Sequence, residues 1–233
     1  MSSLEGSVAL VTGASRGIGR AISEVLFANG VHVVRLARSI STASSDRRTD
    51  FTCDVTSEPE VRTIVARLMK QVGVPDIVVN NAGTFMLKPL AETTIDEFNK
   101  HLRVNLTAPF LVLRELLPHM IKKDRAHIVT IGSVADHVPF PGNAAYGSSK
   151  YGLRGLHEVL ARELQGTDVR TTLISPGPTD TGLWDDLGSS GEPNVSDRAD
   201  MLSADDVAQA VLFAVSRPAR ANVDLIRISP AVR

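Results

Sequence analysis

The chain has 233 residues, 43% of them hydrophobic and 22% charged, which suits one large α/β domain or two small ones with a substantial core. A formal net charge of −1 gives no basic footprint for nucleic acid and no polybasic signal for anionic lipid. The lone cysteine, Cys53, excludes an intrachain disulfide and a cysteine-based zinc site.

Apolar runs of strand length alternate with amphipathic stretches of helix length along the chain. The opening residues are polar and residues 8–12 read as a buried strand ended by Gly13, followed by helical spacing over 18–29 and a second strand over 31–37. A brief third strand at 51–53 precedes a helix over 57–72, with Pro59 in its first turn. The fourth strand is 76–80. A long helical region over 94–123 is expected to be kinked or divided by Pro109 and Pro118. The fifth strand spans 127–131, a helix 144–165 is stopped by Gly166, and the sixth strand spans 169–174. Ser203 and Asp206 form a capping signature for a last helix reaching Ser216, and 223–228 closes the pattern as a seventh strand. Strands alternating with helices predict a doubly wound, Rossmann-type parallel sheet of seven strands, with helices on both faces. No repeat or linker interrupts it, so residues 1–233 are expected to form a single dinucleotide-binding and catalytic domain.

Two stretches lack the pattern. Residues 39–50 are rich in Ser, Thr, Asp and Arg without apolar periodicity. Residues 182–200 carry Gly188, Gly191 and Pro193, and are expected to be a mobile substrate-side lid. No apolar signal segment opens the chain and no uncharged run approaches the roughly 20 residues of a membrane helix, so a reducing cytoplasm is the expected location. The six histidines lack metal-site spacing, and no metal is expected. His119 and His127 flank the basic segment 122–125, read as a solvated helix end, and His137 is read as a loop histidine.

The segment Thr12-Gly13-Ala14-Ser15-Arg16-Gly17-Ile18-Gly19 lies between the first strand and the first helix. Glycines let the backbone turn tightly and approach a pyrophosphate, and the helix N-terminus supplies free N–H groups and a positive dipole end. A purely structural turn is the competing reading. Tyr146 and Lys150 are four apart on a predicted helix and share one face, where an ammonium would favour the phenolate and lower the tyrosine pKa. Exposed Tyr and Lys at that spacing are usually mere surface residues. Ser133 ends the fifth strand and Asn80-Asn81-Ala82-Gly83 ends the fourth, both on the carboxyl edge where such sheets bind ligands.

Taken together, these residues resemble the short-chain dehydrogenase/reductase family in its single-domain form, and the motifs arrive in the family's order over nearly the whole chain. The resemblance implies an enzyme that moves hydride between NADP(H) and a small-molecule carbonyl or secondary alcohol. Tyr146 would protonate the carbonyl oxygen, Ser133 orient it, Lys150 hold the nicotinamide ribose, and Asn105 keep a water in the proton relay. Without the family, Asn105 reads as a polar residue satisfying a bend in the long helix. Gly13, Ser15, Arg16, Gly17, Ile18 and Gly19 would hold the diphosphate. Asp54 and Val55 would meet the adenine, although Asp54 equally reads as a helix-entry acid near Thr56. Asn81, Ala82 and Gly83 would line the adenosine side, and Pro176, Gly177, Thr179 and Thr181 the nicotinamide.

Relatives that prefer NAD commonly place an acid where this chain has Ala37. Arg38 and Arg16 instead suit a 2′-phosphate, because a guanidinium grips phosphate bidentately; Arg35 is a weaker rival inside the strand. The segment 39–50 is too short for the helix the family usually has there, which exposes the adenosine edge. Phe85, Phe140, Leu183 and Trp184 form either an apolar substrate wall or ordinary packing. The family's pairing of long helices implies a homodimer or homotetramer, with Leu106, Phe110, Leu113, Leu156 and Leu160 in the interface or the core. Two other classes compete: a catalytically idle NADP(H) sensor, against which both Tyr146 and Lys150 are present, and a sugar-nucleotide epimerase, which normally carries a larger substrate domain.

Overall fold

Alternation along β1 (Val8–Thr12) divides the molecule in two: Leu10 enters one apolar core, Ala9 and Val11 the other, and all three are fully buried. β5 (Ile77–Asn80) repeats the division, with Val78 on the first side and Ile77 and Val79 on the second. Strands covered on both faces need apolar residues at every position, which is why these segments read as continuous runs. Helices α2 (Glu58–Gln71), α4 (Ala108–Met120) and α5 (Ala144–Glu163) close the first core. The second is closed by α1 (Gly17–Ala28) and α6 (Ala204–Val215). The computed structural model describes residues 3–185 and 197–231.

Six more strands, β2 (His32–Ala37), β3 (Ala43–Ser45), β4 (Arg48–Thr52), β6 (Ala126–Ile131), β7 (Val169–Pro176) and β8 (Leu225–Ile228), join β1 and β5. The order is β3-β4-β2-β1-β5-β6-β7-β8, a Rossmann-like sheet. It reverses direction between β1 and β5, the switch point outside whose carboxyl ends a ligand crevice opens.

The sheet has eight strands among the described residues, one more than the sequence pattern predicts. The addition is β3, antiparallel to β4, inside the polar segment 39–50. That stretch has no apolar stripe with which a helix could dock, and its hydroxyls knit an edge hairpin instead. Thr52 Oγ1 donates to the Ile40 carbonyl at 2.5 Å, and the Thr52 N–H donates to Thr42 Oγ1 at 3.1 Å.

The long helical region is divided just before Pro109. α3 (Ile95–Leu102) runs into a π segment, Arg103–Thr107, in which the Ala108 N–H reaches back to the Arg103 carbonyl. Pro109 lies two residues beyond the π segment, in the first turn of α4, and Pro118 is carried near the end of α4. The Ser203–Asp206 cap forms as expected, with both reciprocal bonds. His127 lies in β6 as its place in the fifth strand implies, buried, with Nε2 2.7 Å from Thr172 Oγ1.

No helix among the described residues is long and apolar enough to cross a membrane. Most of the expected lid, residues 186–196, lies outside the described residues. At its flanks Arg198 bonds both Asp180, at 2.7 Å from Nε, and Asp185, at 2.8 Å from Nη1.

Candidate active site

The chain turns at the end of β1 through Gly13 (φ +65°) and Gly17 (φ +53°), in the left-handed region that disfavours side chains. A Cβ on Gly19 would fall on the Gly13 carbonyl and Asn81 Nδ2, so the helix can approach this closely only as glycine. Thr12 and Asn81 lock the turn to the end of β5. Thr12 Oγ1 accepts the N–H groups of Asn81 (3.0 Å) and Ala82 (3.1 Å), while Asn81 Nδ2 donates to the Thr12 carbonyl at 2.9 Å. No side chain caps the start of α1. Its first-turn N–H groups thus fit a diphosphate.

Beside this turn runs a cleft of about 1430 Å³; Ser133, Tyr146, Lys150 and every residue expected to hold the cofactor border it, whereas Asn105 does not. Arg16 and Arg38 are exposed and both line it. Ser39 Oγ donates to Ser15 Oγ at 3.1 Å, which pins the residue after Arg38 to the glycine turn despite the altered 39–50 segment. Arg35 is committed elsewhere, its Nε 2.7 Å from Asp50 Oδ1 across the β2–β4 pair. The helix-entry role of Asp54 is realised: its Oδ1 accepts from the Thr56 N–H (2.9 Å) and hydroxyl (2.8 Å). The second carboxylate oxygen has no protein donor among the described residues.

The reacting centre lies where the end of β6 meets the first turns of α5. Burial pushes the Tyr146 phenol up to about 12, against the opposing pull of a hydrogen bond with Ser133; nearby Asp136 pushes it further up. Burial also brings the Lys150 ammonium down to about 8, with Asp136 opposing that fall. The expected depression of the phenol by Lys150 does not arise in this geometry. Lys150 Nζ donates to the Ile131 carbonyl at 2.9 Å and sits 5.7 Å from the Tyr146 ring centroid. A phenol so placed is protonated at neutral pH.

Asn105 sits fully buried in the π segment. Its Oδ1 accepts the Thr84 N–H at 2.8 Å, and its Nδ2 donates to the Thr84 carbonyl (3.0 Å) and to Ser149 Oγ (2.9 Å). Ser149 in turn donates to the Tyr146 carbonyl at 2.6 Å, so the amide braces the loop after β5 and the helix carrying the tyrosine. Ser149 was not legible as a site residue; its only signal is its place one residue before Lys150.

Phe85, Phe140, Leu183 and Trp184 all border the cleft. Phe85 meets Tyr146 edge-on, with centroids 4.8 Å apart, and Trp184 at 5.1 Å. Trp184 Nε1 is held by the Thr179 carbonyl at 2.8 Å. Thr84, Lys100, Arg103 and Val104 also line the cleft, unmarked by any sequence motif. His137 points away from open solvent, its Nδ1 2.6 Å from Asp136 Oδ1.

Comparison with known proteins accords with this geometry. The model of the short chain dehydrogenase family matches residues 7–191. An uncharacterised oxidoreductase of Staphylococcus saprophyticus is 31% identical, covering 99% of this chain and 98% of its own. A metagenomic short-chain oxidoreductase solved in complex with NADP is 31% identical, superposes with a TM-score of 0.82, and covers all of both chains. The closed form of a serine dehydrogenase complexed with NADP+ superposes with a TM-score of 0.86 at 26% identity, covering 96% of this chain and 94% of that one. The chain belongs to the short-chain dehydrogenase family of oxidoreductases.

Proposed function

We propose that the chain is a single-domain, NADP(H)-dependent reductase or dehydrogenase that interconverts a small carbonyl compound and its secondary alcohol. The observation that carries this reading is the convergence of Ser133, Tyr146 and Lys150 on one cleft with the glycine turn. NADP(H), when bound, supplies or accepts the hydride. Tyr146 donates the proton to the carbonyl oxygen, and Ser133, whose hydroxyl lies beside the phenol, orients that oxygen. Lys150 holds the nicotinamide ribose. Gly13, Ser15, Gly17, Ile18 and Gly19 hold the diphosphate, while Asp54, Val55 and Asn81 to Gly83 border the adenosine. Pro176, Gly177, Thr179 and Thr181 flank the nicotinamide. Both amide protons of Asn105 are committed to Thr84 and Ser149, so a relay water behind Lys150 would have to donate to Asn105 rather than accept from its side chain. The test is loss of NADPH absorbance against a broad carbonyl panel, with NADH in parallel. No turnover with any carbonyl or alcohol overturns the reading.

Arg16 and Arg38 set the preference for NADPH, since the two cofactors differ only by a 2′-phosphate. A hydrogen bond to a charged group contributes about 1.5–3 kcal/mol, so losing either arginine weakens NADPH roughly 10- to 150-fold and leaves NADH little changed. Ala37→Asp combined with Arg38→Ala inverts the preference, because the carboxylate repels the phosphate and accepts from free ribose hydroxyls. The measurement is kcat/KM for both cofactors; a wild type that already favours NADH removes the assignment.

We also propose a homo-oligomer, dimer or tetramer, through α4 and α5. Leu113 and Leu160 are spent in the core, and Leu106 and Leu156 are half-buried, but Phe110, Tyr151 and Val159 remain exposed on these helices. Light scattering at micromolar concentration should give a multiple of the 25.0 kDa chain mass; a sharp monomer mass refutes it.

A further inference from the structure

Asp136 is a charged side chain only 1% exposed, directly behind the reacting centre. Its Oδ2 accepts the Ser133 N–H at 3.1 Å and the Ser175 hydroxyl at 2.6 Å, and its Oδ1 meets His137 Nδ1. It thus ties the turn after β6 to the end of β7, one residue before Pro176. Gly132 makes room for it, since a Cβ there would fall on Asp136 Oδ2. The same short backbone stretch is held from its other end by Lys150, whose Nζ bonds the Ile131 carbonyl. A carboxylate and an ammonium therefore grip Ile131-Gly132-Ser133 from opposite ends, with little water to screen them.

A buried carboxylate with three donors is expensive unless a cation shares its surroundings. The charged or titratable groups around it are His137 on its own turn and Tyr146, Lys150 and Arg154 of α5; β7 offers only the neutral Ser175. Arg154 is already paired with Glu158, at 2.7 Å. We propose that Asp136 is a positioning residue: the buried counter-charge of Lys150 and the anchor that holds the Ser133 turn. It never touches substrate, and acts by keeping the lysine an ammonium and the serine hydroxyl in place. The inference rests on Lys150 being the working ammonium of this site, but its test reads protonation directly and needs no substrate.

The experiment follows the side-chain NMR signal of Lys150 against pH in protein carrying isotope-labelled lysine, with Lys150→Arg to assign it. In wild type the midpoint is expected at about 8, because burial disfavours the ammonium. In Asp136→Asn, which keeps an acceptor and removes the charge, it falls by about one pH unit, because a lost carboxylate no longer favours the ammonium. Ser175→Ala keeps the charge and loosens its packing, and leaves the midpoint in place. An unchanged midpoint in folded Asp136→Asn overturns the proposal, and so does an equal fall in Ser175→Ala. If Asp136→Asn fails to fold by circular dichroism, Asp136→Ser answers the same question by the same readout. Failure of the carbonyl assay alone would instead strike the proposed function and leave this result standing.

Discussion

Tyr146→Phe lowers kcat/KM for carbonyl reduction by about 10²- to 10⁴-fold, the usual contribution of a positioned general acid. NADPH affinity changes by no more than about twofold, under ~0.5 kcal/mol. The ring keeps its edge-on contact with Phe85, and only the transferable proton and the bond to Ser133 are lost. Lys150→Ala is expected to behave differently: if one ammonium serves both the ribose and the electrostatics of the site, as proposed, affinity and turnover fall together. Single-turnover rates and cofactor titration separate the two cases. A phenylalanine variant with a tenth or more of wild-type activity would falsify the assignment of Tyr146 as donor.

Acidification from pH 7 to pH 5 destabilises the fold steeply, through two buried histidines. Burial, assisted by Arg170 and Arg125, brings His127 down to about 3. Burial brings His157 down to about 4, with Glu158 and Asp224 opposing. Each ring is neutral in the fold: His127 lies beside Thr172, and His157 Nδ1 is 2.9 Å from Thr130 Oγ1. The unfolded chain binds these protons below an ordinary histidine pKa of about 6.5, whereas the folded chain refuses them until about 4 or below. Folded-state pKa values below the unfolded value mean that stability is complete above about 6.5 and is lost as the pH falls. Each histidine costs about 1.4 kcal/mol per pH unit inside that window, or about 3–4 kcal/mol for the pair by pH 5. That is a large share of the roughly 5–15 kcal/mol that holds a domain together. Urea midpoints measured at both pH values, in wild type and His127→Asn, check this. The variant should lose about half of the pH dependence whatever its absolute stability, and an identical slope in both proteins would refute the account.

What was legible in the sequence was mostly what a short window encodes. The alternation of β1, the glycine turn, the reciprocal cap at Ser203 and Asp206, and the four-residue spacing of Tyr146 and Lys150 are all local, and the fold places them as read. The missing crossover helix after β2 was also visible, because 39–50 has no apolar stripe. The strand that replaces it was not, since its pairing is supplied by Arg48 to Asp50 and its hydroxyl bonds span the hairpin. His127 is legible as a strand residue, but the partner of its ring is not, because Thr172 comes from β7, more than forty residues further on. The role of Asp136 depends on Ser175 and on the space left by Gly132, neither of which a motif records. The break in the long helix was expected at prolines, whose effect is visible in sequence; a π segment has no comparable letter code.

That π segment has an evolutionary consequence. A π turn is an α-helix holding one surplus residue, so α3 and α4 are out of phase by about 100° relative to an unbroken helix. Deleting any one residue from 103–107 would heal the helix and swing everything before it through that angle. Glu97 would lose its present heading toward Lys88, and Asn105 its aim at Thr84 and Ser149. Substitutions along this helix can therefore accumulate one at a time, whereas a change of length there must be matched by a second change of length to keep a working site.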